Sequence, residues 1–232
     1  MLRGISSATH ACGTGQSTVA PLTAIRKRAQ KVSNLWIFDS PKNNRRLTVS
    51  GDVAFLHLVL LESDCDVLGY DLIDDPFRIT SNSQHGYVRL RLKDGSQAWL
   101  TFGRQRTRDS ASDDPASRDS TLQVKANDAG ATLIHRTDLD LAGREVFIDN
   151  WLMLCAVMTR ARLHPCHVET ERFLSCFARQ DAPTVSSMLA IPEVDPGVML
   201  AVIAKALQSG RYGADLDRRL FGTSTQIRRV AQ

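Results

Sequence analysis

An acidic run follows the first strongly apolar helical pattern of the chain and offers oxygen ligands for a divalent metal ion. It consists of Asp64, Asp66, Asp71, Asp74 and Asp75. Carboxylates can hold Mg²⁺ and lower the pKa of a bound water, which is the chemistry of metal-dependent phosphodiester hydrolysis. Turns and strand ends are also commonly acidic, so we interpret this run as solvated charge rather than as a metal site.

The histidines and cysteines lack the spacing of metal sites. No His-x-x-x-His pattern accompanies His57 or His85, and Cys166 and Cys176 are ten residues apart, which is not a zinc spacing. The five cysteines include no Cys-x-x-Cys pair, and their odd number argues against a disulfide framework. We therefore predict a cytoplasmic protein with reduced thiols and no metal cofactor. No apolar run approaches the roughly 20 residues of a membrane helix, so no membrane partner is expected.

Positive charge is concentrated near the start of the chain. Residues 1–50 hold eight Lys or Arg against one acid, Asp39, although the formal charge of the whole chain is only +4. Such a basic arm can tether a protein to phosphates, and the alternative is a solvated, disordered start. The candidate DNA-binding residues are Arg26, Lys27, Arg28, Lys31, Arg45, Arg46, Arg228 and Arg229.

Helices and strands must hold these residues in place, and hydrophobic periodicity predicts an α/β order. Val53, Leu56 and Leu60 recur at helical spacing, which predicts a helix at about 51–63. Asp94-Gly95 predicts a tight hairpin turn. Strands are predicted at 67–73, 77–80, 87–92, 97–103 and 131–137.

The connecting segments divide into loops and helices by composition. The polar stretch 40–51 and the low-complexity segment 104–120 are predicted to be loops. Helices are predicted near 23–31, at 122–130 with Gly130 as the end, and at 145–160.

Beyond about residue 163 the pattern changes to short helices separated by Pro or Gly, followed by two short strands. Three helices and a β-hairpin are the order of a winged helix. The sequence thus predicts a basic arm at 1–33, an α/β domain at 34–163 and a winged-helix-like domain at 164–232.

Four local patterns together resemble the TnsA-type endonuclease subunits of heteromeric transposases. They are the helix end Leu60-Leu61-Glu62 with Val67 and Tyr70, the hairpin VRLRLKDGSQAWLTF (88–102), LIHRTDLDLAGREVFIDNWLML (133–154) and GRYGADLDRRLFGTSTQIR (210–228). The resemblance covers the chain from about residue 34 onward. It implies a PD-(D/E)xK, restriction-endonuclease-like mixed sheet flanked by helices, followed by a small winged-helix domain. It also implies DNA, a DDE transposase subunit and an AAA+ ATPase regulator as partners.

The resembling family cuts DNA with Mg²⁺ held by a helix Glu, a hairpin Asp and a Glu/Gln-x-Lys strand, and this chain departs from that pattern. The helix Glu falls on Ala54, the hairpin Asp on Tyr87, and the Glu/Gln-x-Lys on Thr101, Phe102 and Gly103. Alanine has no ligand oxygen, tyrosine is neutral at pH 7 and glycine carries no ammonium. The consistent register predicts lost catalysis and no bound metal.

A nearby Gln123-Val124-Lys125 spells the family's Gln-x-Lys motif. It lies just before the predicted helix end at Gly130, and the family separates its motif from the next strand by a long helical crossover. The interval from Gly103 to Ala131 accommodates that crossover, whereas the interval from Lys125 does not. We interpret this match as chance.

The favoured hypothesis is a catalytically degenerate TnsA-like protein that serves DNA transposition as a DNA-binding or scaffolding subunit. One alternative is an active endonuclease with relocated Mg²⁺ ligands, for which Glu62, Asp66 and Asp71 are the candidates. Another is an interaction protein outside transposition that has the same fold, because a fold does not determine a function.

Overall fold

A computed structural model of the chain describes residues 34–73, 87–103 and 115–231. Within these ranges the protein is an α/β fold with a mixed four-stranded sheet flanked by helices, which confirms the prediction at that level. No helix in this part of the chain has both the length and the apolarity that a membrane crossing requires. The predicted helix near 23–31 and the predicted strand 77–80 lie outside the described residues.

The described part opens with a β-hairpin where the sequence predicted a loop. β1 (Leu35–Ser40) pairs in antiparallel register with β2 (Arg45–Ser50), so the predicted loop at 40–51 is wrong. Leu47 and Val49 are buried, whereas the residue before each of them is exposed. This alternation was missed because it covers only Leu47 to Val49 and follows a polar stretch with two asparagines in the turn.

α1 (Asp52–Ser63) follows directly and agrees with the predicted helix at 51–63. Ten of its twelve residues are buried, and they surround the helix instead of following one stripe. A helix that is apolar on all sides is an interior helix. α1 packs against both hairpin strands, the main sheet and two later helices, so it occupies the centre of the molecule.

The main sheet has the order β3 (Val67–Ile73), β4 (Tyr87–Leu92), β5 (Gln97–Gly103) and β6 (Ala131–Thr137), all with the predicted bounds. β3, β4 and β5 are antiparallel neighbours, and β6 runs parallel to β5. The turn between β4 and β5 contains Gly95 at φ 82°, a left-handed conformation that glycine adopts without steric cost. This confirms the predicted Asp-Gly turn.

The parallel pair β5–β6 is joined by the crossover helix α2 (Pro115–Asp128). The predicted loop at 104–120 is therefore wrong over 115–120, and the predicted helix at 122–130 begins a turn or more too late. Proline is tolerated in the first turn of a helix, where its missing N–H would have no helical partner. Gln123 and Lys125 lie on this crossover helix and not on a strand.

The remaining helices agree with the predicted order. They are α3 (Glu145–Arg160), α4 (His167–Cys176), α5 (Val185–Leu189) and α6 (Pro196–Gln208). Two short strands follow, β7 (Tyr212–Gly213) and β8 (Arg228–Arg229), which pair in antiparallel register. Whether this region is a winged helix stays a prediction.

One hydrophobic core crosses the predicted boundary near residue 163. Leu58 of α1 and Val88 of β4 belong to the same buried cluster as Phe173, Met188 and Ile203 of the later helices. The C-terminal helices therefore share one buried core with α1 and the main sheet, and the last of them, α6, packs on α1 and α3.

The buried Asn150 of α3 fastens the C-terminal segment to this core. Its Nδ2 donates hydrogen bonds to the carbonyl oxygens of Leu216 and Arg219, each over 2.8 Å. Its Oδ1 accepts a hydrogen bond from the Phe221 amide over 2.7 Å. Because a buried amide is costly unless it is satisfied, these bonds hold residues 216–221 against α3.

Candidate functional site

Three of the four positions that the resemblance aligns with catalytic residues lie at one end of the main sheet. Leu100 pairs with the residue after Tyr87, so Tyr87 comes beside Thr101, and Gly103 follows on the same face. Ala54 is instead buried in the main core with Leu100, whose side chain points to the opposite face. The structure thus brings Tyr87, Thr101 and Gly103 together and leaves Ala54 on the other side of the sheet.

The Tyr87 ring is stacked on the neighbouring strand. Its centroid lies 4.2 Å from that of Trp99, with 16° between the ring planes. Trp99 is buried with Ala126 of α2 and Ala131 of β6 in a second small apolar cluster, against which Tyr87 packs. The position that carries a metal-binding Asp in the resembling family is used here for aromatic packing under the crossover helix.

Thr101 and Gly103 are both occupied by contacts with His135 of β6. The Thr101 Oγ1 lies 2.9 Å from His135 Nδ1. A Cβ on Gly103 would lie only 2.8 Å from His135 Nε2, so any larger residue there requires the imidazole to move. Sequence reasoning missed His135, and only the parallel register of Thr101 with His135 reveals its role.

We call five residues the packed end: Tyr87, Trp99, Thr101, Gly103 and His135. They bring two aromatic rings, a hydroxyl and an imidazole to the end of the sheet. None of the five carries a carboxylate or an ammonium. The packed end therefore lacks the hard oxygen ligands and the lysine on which metal-dependent phosphodiester hydrolysis relies.

His57 of α1 lies near this end on the opposite face. Its ring stacks on Phe102 at 5.4 Å, and its Nε2 lies 2.9 Å from the Thr137 carbonyl oxygen. Since a carbonyl only accepts, Nε2 carries the proton and donates it to this bond. Burial lowers the pKa of His57 below its ordinary value, so the neutral imidazole is the stable form. These contacts make His57 part of the packing of the helix on the sheet.

Glu62, the first candidate for a relocated metal ligand, is completely buried and saturated with hydrogen bonds. Its Oε1 accepts from the Ser40 hydroxyl and from the Tyr70 hydroxyl, the latter over 2.6 Å. Its Oε2 accepts from the Lys42 amide and from Gln208 Nε2, each over 3.0 Å. Burial raises the pKa of the Glu62 carboxyl above its ordinary value. The carboxylate joins the hairpin, β3 and α6, and both of its oxygens are engaged in these bonds.

Asp71 and Asp66 are engaged elsewhere. Asp71 Oδ1 lies 2.8 Å from Arg45 Nη2, and its Oδ2 lies 3.5 Å from Arg89 Nη2. Asp66 lies 3.9 Å from the Lys93 ammonium on the surface. Asp71 follows Tyr70, which binds Glu62, so Asp71 and Glu62 are on opposite faces of β3. Over residues 34–73, 87–103 and 115–231, no group of three His, Cys, Asp or Glu converges as a metal site would require.

The predicted DNA-binding residues fall into three places. Arg45 and Arg46 lie on β2 and are exposed, and Arg46 pairs with Asp39 over 3.2 Å. Arg228 and Arg229 lie on β8, also exposed, and the Arg229 guanidinium sits 5.5 Å above the Phe177 ring. The remaining four candidates, Arg26, Lys27, Arg28 and Lys31, lie outside the described residues.

Sequence reasoning missed two further arginines, Arg89 and Arg91 of β4. Both are exposed, whereas Val88 and Leu90, which alternate with them, are buried. The signal was present in the alternation of YVRLRL, where every second residue after Tyr87 is arginine. Alternation predicted the strand but did not indicate which face would remain open.

Two comparisons with known proteins found no match to this chain. No protein-family model matches the chain. A search of curated proteins likewise finds no significant match.

Proposed function

We propose that this chain is a catalytically inactive protein of the PD-(D/E)xK nuclease plan that binds duplex DNA as an architectural subunit. The observation that carries the proposal is the packed end. Where the resembling TnsA-type subunits require metal-binding oxygens and a lysine, Tyr87 stacks on Trp99 and Gly103 lies against His135. A site without charged oxygens cannot hold Mg²⁺ against its hydration shell.

The sheet order supports the fold part of this proposal. A three-stranded antiparallel meander continues through a helical crossover into a parallel fourth strand, with α1 packed on one face. The resemblance adds a winged-helix C-terminal region and, as partners, a DDE transposase subunit and an AAA+ ATPase. The shared core and the Asn150 bonds support a rigid body suited to holding two partners in a defined arrangement.

The exposed arginines support the DNA-binding part. Arg45, Arg89 and Arg91 lie on the surface of the main sheet and its hairpin. Guanidinium groups bind phosphate oxygens through two parallel N–H donors, which makes arginine a common phosphate contact in DNA-binding proteins. Such contacts position a protein on the duplex without reading its sequence.

A plasmid-nicking assay with Mg²⁺ and with Mn²⁺ tests the loss of catalysis. We expect no conversion of supercoiled to open-circular DNA above the protein-free control. Metal-dependent nicking that disappears in Asp71→Asn would contradict the proposal and favour relocated ligands. Asp71→Asn is preferred to Glu62→Ala because Asp71 is partly exposed, whereas Glu62 is completely buried.

Binding of a labelled duplex, followed by fluorescence anisotropy over a salt series, tests the second part. We expect an association constant that falls steeply as salt rises, because each neutralised phosphate releases condensed counterions. Absence of binding even at low salt would contradict the proposal. Co-purification with a transposase or ATPase subunit tests the proposed partners separately.

A further inference from the structure

The face of the main sheet that carries the packed end is open over its other half. Tyr87, Arg89 and Arg91 alternate along β4, so all three side chains project from this face. α2 packs on β6 and covers the half that contains Trp99. Arg89 and Arg91, towards β3, remain exposed. The same face is thus apolar and buried around Trp99, and charged and exposed at Arg89 and Arg91.

Three arginines form what we call the basic stripe: Arg45, Arg89 and Arg91. Arg45 reaches from β2 to Asp71 on β3, and Arg89 reaches the other oxygen of the same carboxylate from β4. One carboxylate therefore orders two guanidiniums and neutralises only one of their charges. Arg91 makes no ion pair within the described part of the chain.

Gly69 determines where the Arg91 guanidinium lies. Gly69 is the cross-strand partner of Arg91 in the β3–β4 register. A Cβ on Gly69 would lie 2.5 Å from Arg91 Nη2 and 3.1 Å from Asn43 Oδ1. The missing side chain allows the guanidinium to lie across β3, beside the hairpin that carries Arg45. Arg91 is therefore held close to the sheet instead of extending freely into solvent.

We infer that the basic stripe is the surface on which this protein binds the phosphate backbone of duplex DNA, an assignment that rests on the proposed function. The charges complement a polyanion, because among the described residues three guanidiniums face one carboxylate on an exposed surface. Arg89 and Arg91 are two residues apart on one strand, so their Cα atoms are separated by roughly 7 Å along the sheet. A line of guanidiniums of this kind follows a line of phosphates, and contacts to phosphates do not read the bases.

The first test compares charge-reversal variants of the full chain in the duplex-binding assay. We expect Arg89→Glu/Arg91→Glu to lower affinity at least tenfold. The plot of log affinity against log salt should become less steep by about one unit for each phosphate that the variant no longer neutralises. Arg162→Glu/Arg179→Glu is the matched control, since both residues are exposed, lie outside the strands and undergo the same charge change.

A second test separates a positioned contact from general electrostatic attraction. Gly69→Ala leaves the net charge unchanged but displaces the Arg91 guanidinium, because the new Cβ takes its place. We expect a several-fold loss of duplex affinity with circular dichroism like that of the wild type. Unchanged affinity in Gly69→Ala would show that Arg91 contributes charge alone and would remove it from the site. If charge reversal prevents folding, Arg89→Ala/Arg91→Ala replaces it.

The outcomes distinguish this inference from the proposed function. A wild-type protein that binds no duplex overturns both. A wild-type protein that binds, with Arg89→Glu/Arg91→Glu within twofold of it, overturns the basic stripe and leaves DNA binding standing. In that case a large loss in Arg228→Glu/Arg229→Glu would assign binding to β8. Tighter binding of single-stranded DNA or RNA than of the duplex would also overturn the assignment.

Discussion

The two ends of β4 present opposite chemistry on one face of one strand. At one end Tyr87 stacks on Trp99 beneath a helix, and at the other Arg91 lies exposed across Gly69. β4 runs without a break from Tyr87 to Arg91, although its partner β3 shifts register beside Arg91, between Val67 and Gly69. What differs is the layer above the sheet, because α2 covers the first end and leaves the second end open.

The contrast shows that one face of the main sheet combines a buried apolar cluster with exposed charge. At the packed end each position contacts a neighbouring side chain, with Trp99 buried and His135 exposed, whereas the positions at the open end carry charge. Packing and phosphate binding have opposite requirements, since apolar burial excludes water while guanidinium charges are tolerated at little cost only where water remains. If the two ends differ in energy as they do in composition, substitutions at the packed end should lower the free energy of unfolding more than substitutions at the open end.

The largest effect is expected from truncating the packed end. Trp99→Ala should lower the free energy of unfolding by about 3–5 kcal/mol, as large-to-small changes of buried aromatic residues do. Trp99 is 8% exposed, and its Nε1 has no hydrogen-bond partner within the described structure, so the loss is one of packing. Urea denaturation followed by circular dichroism measures it. Trp99→Phe is the control and should retain most of the stability, whereas equal stability of Trp99→Ala would mean that this end is not a core.

The second-largest effect is expected in the pH dependence of the free energy of unfolding, through His57 of α1. Burial lowers the pKa of His57 in the folded state below its ordinary value of 6.5. As pH falls through that value, the unfolded chain binds a proton that the folded chain does not, so stability decreases. For one proton the slope cannot exceed about 1.4 kcal/mol per pH unit.

Denaturation of wild type and His57→Gln at several pH values measures this slope. Glutamine can still donate an N–H to the Thr137 carbonyl oxygen that His57 contacts, but it does not titrate. The stability difference between the two proteins should therefore change in favour of His57→Gln as the solution is acidified. A difference that stays constant with pH would show that His57 is not held neutral by burial.

A smaller effect is expected at Gly103. Gly103→Ala should lower the free energy of unfolding by about 1 kcal/mol, because the new Cβ overpacks against the His135 ring. Adding His135→Ala should recover part of this loss, since the two residues are in contact and their effects are not additive. A double-mutant cycle measures the coupling, and strict additivity would contradict the contact.

The smallest effect is expected at the open end. Arg91→Ala should change the free energy of unfolding by no more than about 0.5 kcal/mol, as exposed substitutions commonly do. Urea denaturation followed by circular dichroism measures this change, as for Trp99→Ala. A loss comparable with that of Trp99→Ala would show that Arg91 stabilises the fold, and it would blur the contrast between the two ends of β4.

Local patterns predicted the main sheet well. The strands 67–73, 87–92, 97–103 and 131–137 and the helix 145–160 were obtained with the observed bounds. Each of these segments has clear periodicity and ends at a turn signal such as Asp94-Gly95, so local and tertiary preferences agree. The hairpin β1–β2 failed this test because the alternation in β2 is short, covering only Leu47 to Val49, and its turn, with Asn44 at φ 50°, contains no glycine.

The candidate site was only partly predictable. The resemblance to TnsA-type subunits pointed to Tyr87, Thr101 and Gly103, and their residue types include no carboxylate and no ammonium. It did not find His135 or Trp99, which fill that end, because they reach it through strand pairing. The sequence analysis named Arg45 as a DNA-binding candidate but did not name the two arginines of β4. Alternation distinguishes the two faces of a strand, but it does not show which face a helix will cover.

The four strands of the main sheet, the turn at Gly95 and the residue types at the end of the sheet follow from the chain's local patterns. That Asp71 orders two arginines, and that Arg91 lies on Gly69, became apparent only when distant segments were brought together in the fold. The physical reason is the distance along the sequence over which each effect acts. Periodicity and turn chemistry act over a few neighbouring residues, whereas burial, ion pairing and the open face depend on strands and helices that are distant in sequence.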